Sequence, residues 1–274
     1  MSEPQVSVAD KQDAEALSTF AERHPLAWTD FASIALLQPD EPRVWIARRG
    51  DVIEAAAIDD GLAMSVAGDD AGLTAIASAA GDLDHKLVIA GRTEEVRCFV
   101  AGTAAPRRER PEHFMSVHTG GLKCAIEAVP IRVATSEDLP MLIRVRAAAL
   151  AEEYGIDVPV DSKLHRELAE AVTRAVRLQG VAVWIEDEQC AFTAQLIAKT
   201  PMAAMFGDLY VDPALRGSGR ATRALTAFCA WLMTESEYVT LRVGTTNDPA
   251  VRLYERVGFG VVDSFCSSLG PEAP

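Results

Sequence analysis

The chain lacks closely spaced cysteines. Its five (Cys98, Cys124, Cys190, Cys229 and Cys266) are odd in number and far apart, which excludes a Cys-x-x-Cys zinc pattern and a disulfide framework. Cys229 falls in an apolar helical stripe and reads as packing. The histidines (His24, His85, His113, His118, His165) are scattered, and none has a second His at helical metal-ligand spacing, so no metal site is expected. No apolar run approaches the ~20 residues that span a bilayer. Met1 to Lys11 is polar and mixed in charge, unlike a signal peptide. A soluble, cytoplasmic protein with no membrane partner is the expectation. Basic residues are also short: 26 Lys and Arg against 40 Asp and Glu, a formal net charge of −14. A nucleic-acid binder needs a basic face, so no nucleic-acid partner is expected. The acidic balance suits a cationic substrate such as an amine, and equally suits solubility alone.

What is present is apolar material, 49% of 274 residues, enough for one large or two modest domains. Thr103 to Gly121 holds Arg107-Arg-Glu-Arg-Pro111 and Gly120-Gly121 and reads as linker around one short strand, Phe114 to Val117. A new unit starts near Val129. Val129 to Val133 is a strand, and Thr135-Ser-Glu-Asp138 opens a helix carrying Leu139, Leu142, Ile143 and Leu150. A second helix spans Ser162 to Leu178 and stops at Gly180. Strands follow at Val181–Glu186, Ala191–Ala198 and Ala203–Val211. A helix from Gly219 carries the stripe Ala221, Ala224, Leu225, Phe228, Leu232. Then come a strand at Tyr238–Val243, a short helix from Asn247 to a stop at Gly258, and a strand at Val261–Phe265. The order β-α-α-β-β-β-α-β-α-β is a mixed α/β unit with a mostly antiparallel sheet flanked by helices.

The first half echoes that order. Arg43-Val-Trp-Ile-Ala-Arg-Arg-Gly-Asp-Val-Ile53 resembles Ala182-Val-Trp-Ile-Glu-Asp-Glu-Gln-Cys-Ala-Phe192, and Val96-Arg-Cys-Phe99 lines up with Val251-Arg-Leu-Tyr254. The reading is an internal duplication in two tandem units, 1–127 and 128–274. Short matches of this kind also arise by chance.

The most informative segment is Leu209-Tyr-Val-Asp-Pro-Ala-Leu-Arg-Gly-Ser-Gly-Arg-Ala-Thr222. It runs from a strand end through a tight loop into a helix. A helix N-terminus presents unpaired N–H donors and the positive end of the macrodipole. Gly217 and Gly219 let backbone approach an anion closely. Arg216, Arg220 and Arg223 crowd the end of the helix where cations are disfavoured by roughly 0.3–1 kcal/mol each, which suggests an anion between them. The bland alternative is a Gly-containing loop with solvated arginines. Gly-x-x-x-x-Gly-Lys-Ser/Thr is absent, and Thr222 breaks Gly-x-Gly-x-x-Gly.

From Val129 to Leu269 the chain resembles the GNAT acetyltransferase superfamily. Arg216-Gly-Ser-Gly219-Arg-Ala221 satisfies its Arg/Gln-x-x-Gly-x-Gly/Ala phosphate signature. Asn247 followed by Arg252-Leu-Tyr254-Glu-Arg-Val-Gly258-Phe259 matches its later motif. The resemblance implies acetyl-CoA as co-substrate and a primary amine as acceptor, with no metal. The backbone of Leu209, Tyr210 and Val211 would pair with the pantetheine arm. Amides of Gly217, Ser218, Gly219, Arg220, Ala221 and Thr222 would hold the diphosphate, assisted by Arg216 and Arg220. Asn247 would contact the pantetheine or phosphate arm, and Tyr254 would protonate the departing thiolate. Asp208 stands where the family often carries an acid, with Glu152 and Glu153 as alternatives for the base.

Competing structural readings exist: Tyr254 as a buried aromatic, Asn247 as an ordinary helix cap, Asp208 as a strand-end acid. A non-catalytic acyl-CoA-binding sensor or interaction module is the alternative function. In the first half, Ser65-Val-Ala-Gly-Asp-Asp-Ala-Gly72 carries Asp69 and Asp70 where the second half has arginines, and Phe99 replaces Tyr254. That half is expected to bind no CoA and to act as a degenerate or accessory domain. A homodimer is compatible with this design. The acceptor could be a small amine, an aminosugar, or a protein N-terminus or lysine.

Overall fold

The computed structural model describes residues 3–34, 43–59, 61, 63–81, 83–84, 86–104 and 106–270; His85 lies outside them. The chain carries one element order twice. The first copy is β1 (Gln5–Val8), α1 (Ala14–Ala21), α2 (Thr29–Ile34), β2 (Arg43–Arg49), β3 (Val52–Asp59), β4 (Ala63–Gly68), α3 (Asp70–Ala80), β5 (Val88–Arg92), α4 (Thr93–Val100) and β6 (Arg108–His118). The second is β7 (Arg132–Val133), α5 (Leu139–Tyr154), α6 (Lys163–Arg177), β8 (Val181–Glu186), β9 (Gln189–Lys199), β10 (Ala203–Tyr210), α7 (Arg220–Leu232), β11 (Tyr238–Gly244), α8 (Asp248–Val257) and β12 (Gly260–Leu269). The fold is a mixed α/β tandem. Its strand pairing repeats as well. In each copy the first four strands run antiparallel, and the fourth meets the fifth in a three-rung parallel ladder: Ala63–Ser65 on Val88–Ala90 in one, Ala203–Met205 on Tyr238–Thr240 in the other.

The two compact units do not follow the two halves of the chain. Unit one comprises 1–115, 242–247 and 261–274; unit two comprises 116–241 and 248–260. The physical reason is β12. This strand belongs to the second copy by sequence, yet it pairs with β5 from Phe265↔Arg92 to Leu269↔Val88. Side chains of the first copy pin it: Arg92 Nε to Asp263 at 2.8 Å, Arg107 Nη2 to the Ser268 carbonyl at 2.9 Å, and Ser267 Oγ to the buried Glu112 at 2.7 Å. Phe114 stacks on Phe265 with ring centroids 4.7 Å apart.

Local sequence explains most elements. Ser162 Oγ caps α6 by accepting from the His165 amide at 3.0 Å. Asp187 and Glu188 both take positive φ (49° and 62°), which gives the β8–β9 hairpin the twist its strands require. Gly258 at φ 129° ends α8, and a Cβ there would collide with the Gly121 carbonyl at 2.3 Å. The stripe on α7 is buried as Ala224, Leu225, Phe228, Cys229 and Leu232, while Ala221 is half-exposed. Burial pushes the Cys229 thiol far up, so it is inert packing.

The segment Arg107 to Pro111 departs from expectation. It is not linker: β6 begins at Arg108 and runs through Pro111. Pro111 needs no amide there, because its carbonyl accepts the Thr245 N–H at 3.0 Å. The charges that suggested a loop are neutralised in place, Glu109 by Arg97 at 2.8 Å and Arg110 by Glu112 at 2.5 Å.

Within β11, Thr240 is fully buried and its hydroxyl has no partner. A buried hydroxyl without a partner costs about 1–3 kcal/mol. Thr240→Val is therefore expected to stabilise the protein by about 1 kcal/mol, raising Tm by a few degrees in thermal unfolding. A fall in Tm would show that the hydroxyl is satisfied.

Candidate functional site

The site grows from a failure of strand pairing. The β10–β11 ladder stops at Met205, although β10 continues to Tyr210. On its other edge β10 stays paired with β9, but with a shift between Gly207↔Gln195 and Tyr210↔Thr193. This shift is a bulge over Asp208–Leu209, and Asp208 adopts φ 54° to make it. The result is a strand whose edge from Phe206 onward has no ladder partner on the β11 side among the described residues. Asp212 then closes the strand end: its carboxylate accepts the Cys190 amide at 2.6 Å and its own amide donates to the Cys190 carbonyl at 2.9 Å.

The loop that follows is open. Arg223 N–H to Gly219 O, at 3.2 Å, is the first backbone bond of α7. Among the described residues the amides of Gly217, Ser218, Gly219, Arg220, Ala221 and Thr222 consequently have no acceptor. Gly217 and Gly219 sit at φ 74° and 80°, and a Cβ added to either would meet nothing within 4 Å. Ser218 Oγ is turned away, donating to Leu215 O at 2.6 Å. The turn is neither plugged by side chains nor bonded into the interior.

All three arginines carry partners that sequence reasoning missed. Arg216 donates to Glu152 at 2.8 Å and to the Val211 carbonyl at 3.0 Å, and its guanidinium lies 5.3 Å from the Tyr210 ring centre. Arg220 makes a two-pronged pair with Glu186 at 2.8 and 2.7 Å. Arg223 lies 3.9 Å from Glu127 and 5.6 Å from the Trp184 ring centre. Positive charge at the start of α7 is thus offset by carboxylates from distant segments.

Asp208 and Tyr210 both address α5. Arg146 holds Asp208 in an ion pair at 2.6 Å. The Tyr210 hydroxyl donates to Glu152 at 3.3 Å, and its burial together with the Glu152 charge pushes that phenol up. Tyr254 is buried beside Phe206 and Phe259, with ring centroids 6.3 and 5.8 Å away. Burial, with Glu153 and Cys229 nearby, raises its phenol well above the usual value. Tyr254 therefore abuts the residue at which β10 loses its partner. Asn247 precedes α8, donates its amide to Gly244 O at 2.9 Å and belongs to unit one.

The profile of the acetyltransferase (GNAT) family matches residues 153–259. Among solved structures, the chain is similar to a tandem GNAT protein from the clavulanic acid biosynthesis pathway, at 15% identity over 99% of this chain and 100% of that one, TM-score 0.58. It is similar to a GNAT-family acetyltransferase from Colwellia psychrerythraea (12%, 97% and 100%, TM-score 0.54). It is also similar to a GCN5-related N-acetyltransferase from Sphaerobacter thermophilus (14%, 98% and 97%, TM-score 0.56). At such identities the likeness establishes the fold, and it extends across the first half. No curated protein matches the sequence.

The first copy builds the corresponding place differently. Between β4 and α3 stands a single residue, Asp69, whose carboxylate accepts the Gly72 amide at 2.9 Å. Gly91 lets β5 close against β4, since a Cβ there would lie 2.5 Å from the Val66 carbonyl. Glu95, on the first turn of α4, accepts the amides of Gly68 at 3.4 Å and Arg92 at 3.2 Å. Phe99 is buried on the same helix. Burial raises the Glu95 carboxyl to about 7, against the pull of those two amides and of Arg92. A carboxyl raised in the folded state stabilises fully below its unfolded value, and that stability is lost as pH climbs through the folded value. Between about pH 4.5 and 7 the wild type should lose roughly 2–3 kcal/mol through this group. Denaturant titrations of Glu95→Gln should show that slope removed; parallel curves for the two proteins would refute it.

Proposed function

We propose that the second half, 128–274, is an N-acetyltransferase carrying an acetyl group from acetyl-CoA to a primary amine by direct attack in a ternary complex. The first half, 1–127, is on this reading a degenerate copy that binds no CoA. The observation that carries it is the run of six amides from Gly217 to Thr222 without acceptors, set directly after a strand edge without a partner. A helix start of this kind suits a diphosphate. An open strand edge suits an extended amide chain, and pantetheine is such a chain.

The residues divide the chemistry as follows. Leu209, Tyr210 and Val211 offer backbone groups to the pantetheine arm. The amides of Gly217, Ser218, Gly219, Arg220, Ala221 and Thr222 bind the diphosphate, with Arg216 and Arg220 beside it, and Asn247 serves the cofactor arm from the start of α8. A protonated amine, with pKa ~10.4 when lysine-like, must lose a proton before it attacks. Asp208 takes that proton once its pair with Arg146 opens. The amine nitrogen then bonds to the thioester carbonyl carbon. An amide on the bulge stabilises the oxyanion. As the tetrahedral intermediate collapses, the carbon–sulfur bond breaks, Tyr254 passes its proton to the departing thiolate, pKa ~8.5, and the second proton shed by the new amide nitrogen restores the phenol. Burial keeps the phenol protonated at neutral pH and also makes it a weaker acid, so its proton leaves together with the return of the one from nitrogen.

Tyr254→Phe is expected to cut kcat at least tenfold in a thiol-release assay with an amine panel, with CoA affinity within twofold of wild type. An equal loss of affinity would remove the proton-donor role. Calorimetry should give one CoA per chain. Two would overturn the assignment of the first half, and CoA binding without thiol release from any amine would leave a binding module.

A further inference from the structure

The pairing of the loop arginines with acids goes beyond the acceptor-free amides, and it rests on the reading above that the loop takes a diphosphate. Glu186 is the last residue of β8, fixed by the left-handed turn at Asp187–Glu188. It meets the first residue of α7, Arg220, with both carboxylate oxygens, at 2.8 and 2.7 Å. Glu152, near the end of α5, meets Arg216 at 2.8 Å while also accepting from Tyr210 at 3.3 Å. Both acids come from elements other than the loop. Both lie partly exposed, the Glu186 side chain at 35% and Glu152 at 45%. Each pair therefore sits in water-accessible surroundings where ion pairing is weak and exchangeable.

We propose that Glu152 and Glu186 are resident counter-ions of the diphosphate site, which a diphosphate must displace from Arg216 and Arg220. A carboxylate brings one negative charge and two acceptor oxygens to its arginine. A diphosphate brings more charge and more oxygens, and can reach the six amides at the same time. Exchange favours the diphosphate, whereas a small monovalent anion gains too little to release either acid. The two acids thus act through the arginines as positioning residues, holding each guanidinium extended over the loop and setting a threshold of charge for entry. Without them, Arg216 and Arg220 would be available to any anion.

Glu186→Gln and Glu152→Gln in the full chain test this by calorimetry with CoA and by kinetics with acetyl-CoA. Each variant should bind CoA two- to fivefold more tightly than wild type, and Glu186→Gln should lower the KM for acetyl-CoA with kcat unchanged. Competition by inorganic phosphate should set in at lower concentration. A purely structural salt bridge would give the opposite, weaker CoA binding and a raised KM, and that result, or unchanged affinity in both variants, overturns the proposal. If the folded wild type binds no CoA, the underlying assignment of the loop fails, and the counter-ion role falls with it.

Discussion

Three rungs of parallel ladder, Ala203–Met205 against Tyr238–Thr240, are all that join β10 to β11, and the candidate site follows from that limit. A strand that kept pairing to its end would have no free amides or carbonyls to offer. The bulge at Asp208–Leu209 redirects β10, and a left-handed residue is needed to make it. An aspartate in that conformation costs on the order of 1 kcal/mol, offset by its ion pair with Arg146 on the helix that covers the strand. Strand, bulge and helix start form one continuous run of chain, so the position of the α7 amides is inherited from the point where the ladder stops.

The same architecture in the first copy shows what the loop adds. Both copies keep the three-rung ladder and the helix after the fourth strand. One joins strand to helix through Asp69 alone and spends a carboxylate on the first turn; the other inserts residues 211–219 and leaves the first turn uncapped by any side chain. Fold is retained while chemistry is gained or lost in the connection, as expected when function resides in a site grafted on a scaffold.

Local features were legible in the sequence. The helix-period stripe on α7, the helix start at Ser162, the stop at Gly258 and the Gly-x-Gly loop each depend on neighbours within a few residues, and each stands where the pattern placed it. Long-range pairings were not legible. Nothing near Arg216 in the sequence announces Glu152, and nothing near Arg220 announces Glu186, because those contacts close through tertiary packing. The strand character of Arg108–Pro111 was hidden because its charges find partners in the protein rather than in water: Glu109 pairs with Arg97 on α4, and Arg110 with Glu112 on the same strand.

Strand β12 ties the order of synthesis to the order of assembly. The β5 edge is covered by β12, which is made after every other element of the second copy. During translation the first copy therefore emerges with the β5 edge uncovered and remains so until β12 has been made. Domain-by-domain folding on the ribosome, the usual route for two-domain chains, is closed to this one. A ribosome that stalls or terminates early would release a chain with an exposed sheet edge, the feature most prone to pair with a neighbour. The first copy therefore cannot complete its sheet before the second copy has been made.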